Sequence, residues 1–288
     1  MKIKTGIFLL ILSTFLNISR VQSQVNLKNC IFQPEDKRLA EEKLIRFSPE
    51  VGKPIADLVV EIGLSFLGTP YVAATLENGL EEKLVINLRE LDCTTFAETC
   101  LALARTVKNK KTDFESFVAE LEHLRYRNGI RNGYSSRLHY FSEWISNNAE
   151  KKIISEEPDM NGVKLNKTIN FMSTHPEEYP VLKAHPEMIP AIAHQEKVLT
   201  SKDLYYFPKD NPANLLKNLH HGDIIGLTST IDGVDINHVG IIIWKDNQFH
   251  LLHAPLSGKK VLISDGPITD FLQPKSKNSG IMIARPIF

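Results

Sequence analysis

Apolar positions recur at helical spacing through the first half of the chain and at strand spacing through its last quarter. After Pro54, the residues Ile55, Leu58, Val59, Ile62 and Phe66 mark one face of a helix, which Gly68-Thr69-Pro70 stops. Residues 71–90 show no such period and are expected as loop or short extended structure. A second helix begins near Cys93, with Phe96, Ala97, Cys100, Leu101, Ala104 and Val107 on one stripe. Phe114, Phe117, Val118, Leu121 and Leu124 predict a third. A polar, glycine-bearing loop follows from Arg125 to Ser136, and a fourth helix is expected to carry Leu138, Phe141 and Ile145. Residues 147–215, rich in Lys, Glu, Pro and Asn, are expected as an irregular insertion with short helices. From His221 the period changes. Asp223–Thr228, Asn237–Trp244 and Phe249–Ala254 predict strands, with two more at Val261–Ser264 and Ile281–Arg285. Helices followed by a strand meander predict an α+β domain with an antiparallel sheet.

The extreme N-terminus departs from this pattern. Lys2 and Lys4 precede an apolar run from Gly6 to Leu16, and Val21-Gln22-Ser23 has the small residues of a cleavage site before Gln24. Residues 1–23 are therefore expected to be a signal peptide, leaving 24–288 as one catalytic domain of an exported protein. No Cys follows the run closely enough for a lipid anchor, and no later stretch of about 18 apolar residues predicts a membrane span. Lys+Arg and Asp+Glu both number 34 in 288 residues, so no overall basic field exists to hold nucleic acid. Three Cys, an odd and sparse count, do not make a disulfide scaffold and leave at least one thiol free. Cys93 and Cys100 lie about 10 Å apart along a helix, too far to bridge, while a Cys30–Cys100 pair stays open.

Candidate chemistry centres on that free thiol. In Leu91-Asp92-Cys93-Thr94-Thr95-Phe96, Asp92 is a natural N-cap and Cys93 sits where unpaired amides carry partial positive charge. Such a position is expected to lower the thiol pKa and make a nucleophile near neutral pH. Cys100 lies mid-stripe and is expected in the core. The base candidate is His238, in Asn237-His238-Val239-Gly240. If a tight turn pairs Lys245 with Gln248, His253 falls opposite Gly240 and becomes the diagonal neighbour of His238, within roughly 7–8 Å on the same face. His250 has the opposite parity and is the weaker partner. A slip of one residue would separate the pair. Zinc is the competing chemistry for Cys and His, but the chain has neither His-Glu-x-x-His nor Cys-x-x-Cys.

Gly68-Thr69-Pro70-Tyr71, Asp92-Cys93-Thr94, His238-Val239-Gly240-Ile241 and His253-Ala254 resemble, in this order, the NlpC-type papain-like cysteine peptidases of bacterial cell walls. The resemblance implies a papain-like α+β fold without cofactor or metal, with Cys93 as nucleophile, His238 as base and His253 as the orienting group. It places Tyr71, Asp92 and Thr94 around the thiolate, although Thr94 stands where that family usually has Ser. Tyr126-Arg127-x-Gly129 and Tyr134-x-Ser136-Arg137-Leu138-His139-Tyr140-Phe141 further resemble the N-acetylmuramoyl-L-alanine amidase-like branch, long catalogued as a domain of unknown function and frequent in Gram-negative bacteria. That resemblance implies cleavage between muramic (or anhydromuramic) acid and L-Ala in peptidoglycan fragments, by a monomer in the periplasm or cell envelope of such a bacterium. Arg127 and Ser136 belong to the candidate substrate loop. Arg137 could fork onto a substrate carboxylate, and Tyr134 and Tyr140 could stack on sugars. Alternatives are a γ-D-glutamyl-diamino acid endopeptidase on the same fold and a wall-binding protein without activity.

Overall fold

The computed structural model describes residues 26–156 and 162–288, so the signal-peptide expectation for 1–23 lies outside the described residues. The first half is a helical layer. Strand β1 (Cys30–Ile31) leads into helices α1 (Pro34–Phe47) and α2 (Ile55–Leu64). Strand β2 (Leu84–Val85) pairs with β1. Helices α3 (Cys93–Lys108), α4 (Phe114–Arg125) and α5 (Phe141–Glu150) follow. Helix α1 escapes the periodicity argument, because Glu, Asp, Lys and Arg interrupt its short apolar face. Leu138 lies before α5 rather than in it, its N–H donating to Arg125 O.

Helix α3 is buried on nearly every side. Phe96, Ala97, Cys100, Leu101, Ala102 and Ala104 are all fully enclosed, and its alanines let α1, α2, α4 and the sheet approach closely. Glu98 is also buried in α3. It accepts from Arg125 Nε of α4 at 2.8 Å and from Trp144 Nε1 of α5 at 3.1 Å, so one carboxylate ties three helices together. A lone charge there would cost several kcal/mol; paired and hydrogen-bonded, it fixes the helices' relative placement.

The stretch 147–215 contains strands β3 (Ile154–Glu156) and β4 (Val163–Lys164), then helices α6 (Phe171–Thr174), α7 (Pro180–Ala184) and α8 (Ile189–Ser201). Strand β5 (Tyr205–Pro208) and helix α9 (Pro212–Asn218) complete it. It is irregular only in part, since β3 and β5 both pair with the final strand. The meander is β6 (Ile224–Ser229), β7 (Ile236–Lys245), β8 (Gln248–His253) and β9 (Leu262–Ile263), then α10 (Ile268–Leu272) and β10 (Asn278–Pro286). The sheet runs β4-β5-β10-β6-β7-β8-β9 and its pairings are antiparallel, giving the α+β architecture.

Both sheet faces are covered. Val239, Ile241, Ile243 and Leu252 join the helical core, while Ile225, Ile242, Leu251 and Ile283 form a second core with α9 and α10. This explains why β6 is buried throughout rather than alternating. Gly63 of α2 lets the helix lie on the sheet, because a Cβ there would come within 2.9 Å of Leu252 Cδ2. Among the described residues, no helix is long and apolar enough to cross a membrane.

Candidate functional site

Helix α3 begins at Cys93 because Asp92 caps it. Asp92 Oδ1 accepts from Thr95 N at 2.7 Å and from Thr95 Oγ1 at 2.8 Å, while Asp92 N–H donates to Thr95 Oγ1 at 2.9 Å. Tyr71 is brought beside this turn by backbone pairing. Leu91 N–H donates to Pro70 O at 3.0 Å and Val72 N–H to Leu91 O at 3.3 Å. Burial, and then the negative charges of a Cys93 thiolate and of Asp92, raise the Tyr71 pKa. Thr94 Oγ1 lies 3.9 Å from Cys93 Sγ. Tyr71, Asp92, Cys93 and Thr94 thus form one group, and all are partly buried.

The hairpin pairs Lys245 with Gln248 and Ile241 with Leu252, the register expected from its turn. His238 Nε2 lies 2.7 Å from His253 Nδ1, their rings nearly perpendicular. Gly240, opposite His253, leaves room for this contact. A Cβ there would lie 2.6 Å from Leu251 Cδ1 and 3.1 Å from His253 Cβ. His250 faces away, with its Nδ1 3.2 Å from Ser264 O. A β-bulge falls at Asn237, since Leu227 opposes His238 while Thr228 opposes Ile236. Bulges bend a strand and re-aim the next side chain. Asn237 is anchored by donating to Lys277 O at 3.0 Å.

Thiol and imidazoles approach the strand from opposite faces. Cys93 packs with the helical core, whereas the histidines share the face of Ile242 and Leu251. They converge at the start of β7, where the Val239 backbone amide, one residue beyond His238, lies close enough to Cys93 Sγ to favour its thiolate. The thiol pKa runs against the helix-terminus expectation. Burial and the neighbouring Asp92 charge push it up to about 11, outweighing the Val239 and Thr94 donors that favour thiolate. Burial and the Lys275 charge lower His238 to about 4. Burial, then His238 and Lys275, lower His253 to about 3. These shifts all favour the neutral forms of the thiol and of both imidazoles at rest.

The second set of expected residues is built differently. Arg137 does not present a free fork. It is 5% exposed, donates to Glu77 Oε1 and to Leu76 O, and lies 3.7 Å from Glu82 Oε1. Burying a guanidinium requires such partners, so it fastens the 76–82 loop. Tyr134 and Tyr140 do not offer ring faces either, being 2% and 7% exposed. Tyr140 OH donates to Glu196 Oε1 at 2.7 Å. Arg127 pairs with Glu143 at 2.7 Å, and Ser136 Oγ donates to Gly133 O at 2.6 Å, closing its own turn. The block reaches the sheet through Phe141, which fills the space above Gly226, the partner of Val239.

Residues the sequence argument did not single out lie beside the histidines. Phe271 meets the His253 ring edge-on at 5.1 Å between centroids, and Lys275 Nζ sits 4.1 Å over Phe271. They come from α10 and the turn after it, which carry no periodic signal. All three cysteines are free; Cys100 is enclosed in the core and Cys30 lies partly exposed near the N-terminus, so they do not pair. Among the described residues, no group of three metal-ligating side chains converges.

A comparison with curated protein sequences returns no match. Among solved structures, an N-acetylmuramoyl-L-alanine amidase from Bacteroides uniformis is 35% identical, with a TM-score of 0.76, covering 81% of this chain and 99% of its own. A protein from Bacteroides fragilis described as a putative xylanase is 38% identical, with a TM-score of 0.71, covering 78% and 99%. A Legionella pneumophila protein, 20% identical over 88% of this chain and 96% of its own, shares the fold at a TM-score of 0.66. The model of the AmiA-like family, described as N-acetylmuramoyl-L-alanine amidase-like, matches residues 61–281, most of the helical layer and the sheet. The chain belongs to the N-acetylmuramoyl-L-alanine amidase-like family.

Proposed function

We propose that this chain is a papain-like cysteine amidase of the NlpC type that hydrolyses the amide between N-acetylmuramic or anhydromuramic acid and L-Ala in peptidoglycan fragments. The observation that carries the reading is the His238–His253 contact at 2.7 Å. It occurs at the strand end where the Val239 backbone amide lies near Cys93, in a chain of an amidase-like family.

With His238 Nε2–H donating to His253 Nδ1, the His238 Nδ1 lone pair is left for the thiol proton. Because thiol and imidazole both rest neutral, proton transfer accompanies attack rather than preceding it. Cys93 Sγ bonds to the lactyl carbonyl carbon as its proton passes to His238. The Cys93 backbone N–H and a neighbouring donor receive the oxyanion. The C–N bond then breaks, His238 returns the proton to the L-Ala amine, and water hydrolyses the thioester to a lactyl carboxylate. Asp92, engaged with Thr95, serves as the helix cap. The Tyr126–Phe141 block and the 147–215 insertion supply the shape of the muramic-acid side, acting through backbone and packing rather than a free Arg137 fork. The protein acts as an exported monomer in the cell envelope, where this substrate occurs.

Mass spectrometry of defined muropeptides tests the reading. The intact enzyme should release a stem peptide beginning at L-Ala, and Cys93→Ala should release none while remaining folded. Cleavage after γ-D-Glu would replace the amidase assignment by the endopeptidase one. Full activity of folded Cys93→Ala would remove the cysteine mechanism.

A further inference from the structure

The histidine pair has a second side. On the face away from α3, His238 and His253 form one wall of an open cavity of about 830 Å³, lined also by Phe271, Lys275 and the loops around residues 256–258 and 264–266. This volume is in the range of sites for small organic molecules. Its lining mixes charges. Lys275 is partly buried over the Phe271 ring and makes no ion pair among the described residues, and its charge reaches both imidazoles. Asp265 and Asp270 stand exposed on the same wall.

Chemistry assigns this side to one half of the substrate. The group that protonates a leaving amine must lie against that amine, so the leaving fragment extends past His238 rather than past Asp92. On the amidase reading, the leaving fragment is the stem peptide. A γ-linked D-Glu leaves its α-carboxylate free, and a diamino acid adds further carboxylates and an ammonium group. Such a zwitterion matches a wall that carries two lysines without ion pairs among the described residues, part-buried Lys275 and exposed Lys277, and two separate carboxylates.

We propose that the cavity behind His238 and His253 is the subsite for the leaving stem peptide, with Lys275 receiving a peptide carboxylate and Asp265 and Asp270 facing its ammonium group. This rests on the amidase reading for the order of fragments, but binding can be measured without any bond being cut. Lys275 is a specificity residue here, since it touches neither the thiol nor the scissile amide.

The test titrates Cys93→Ala protein with L-Ala-γ-D-Glu-diaminopimelate and with the same peptide carrying all its carboxylates as carboxamides. Lys275→Gln, in the Cys93→Ala background, should weaken the acidic peptide by about tenfold or more, as loss of a charge-assisted contact does. The amidated peptide should bind weakly, and equally, to both proteins. In the protein with Cys93 intact, Lys275→Gln should raise KM for the acidic muropeptide and leave kcat within about threefold. Equal weakening of both peptides, or no weakening of either, would overturn the subsite. A fall in kcat with unchanged KM would instead make Lys275 a positioning group for His253 through Phe271, and would also overturn it. Should cleavage at L-Ala not occur at all, the amidase reading falls while the titration still decides the subsite.

Discussion

Cys93 and Cys100 sit on one helix with the same side chain and different surroundings. Cys100 is wholly enclosed among apolar residues, which forces its thiol to stay protonated. Cys93 meets the Val239 and Thr94 donors, yet burial and Asp92 still hold it near 11. Iodoacetamide should therefore modify Cys93 slowly at pH 7, with a rate rising about tenfold per pH unit toward that pKa. A rate flat between pH 6 and 9, measured by mass spectrometry of the modified protein, would mean that a thiolate–imidazolium pair already exists. The histidines separate in the same way. His253→Ala should lower turnover by about 10²–10⁴-fold through loss of the His238 contact. His250→Ala removes a buried ring and its contact to Ser264 O, away from His238, and should act on stability alone. Equal kinetic losses in folded proteins would show that orientation by His253 is not what matters.

At the scale of elements, the hairpin is the part most fully legible beforehand, because a two-residue turn and a strand period of two leave one register that unites His238 with His253. The Asn237 bulge was not legible; it follows from pairing with β6, a partner distant in the chain. Arg137 shows the opposite error. Its residue type suggested recognition of a carboxylate, and it does recognise carboxylates, but they belong to Glu77 and Glu82 of the same chain. Arg137→Ala should cost about 3–5 kcal/mol in urea unfolding, because it leaves part-buried Glu77 without its cation and Glu82 with only the Tyr126 hydroxyl. KM should change little in the folded fraction. A large KM effect with unaltered stability would return Arg137 to the substrate.

For the whole molecule, buried titratable groups link stability to pH. Burial lowers His238 to about 4 and His253 to about 3, and holds His139 well below 6.5. An imidazole whose folded pKa is depressed favours the fold above its unfolded pKa of about 6.5, and that contribution is lost as pH falls through the folded value. Buried Glu82, Glu143 and Asp235 are shifted up and act in the opposite sense. The histidine contribution is therefore isolated by comparison. Between pH 7 and pH 4, the parent should lose on the order of 2–4 kcal/mol more than His238→Asn/His253→Asn. Parallel stability curves in thermal unfolding would show that the two rings are hydrated in the native state.

The helices α2 to α4 and the C-terminal meander, the helix start at Asp92, the strand parity and the pairing of the two histidines were determined by the sequence alone. Each depends on residues within about twenty positions of one another, where periodicity and turn chemistry act. The raised Cys93 pKa, the Asn237 bulge, the self-paired Arg137, the strands within 147–215 and the cavity at Lys275 were decided by tertiary structure. Each depends on which distant segment supplies burial, a counter-charge or a pairing edge, and no local pattern carries that information.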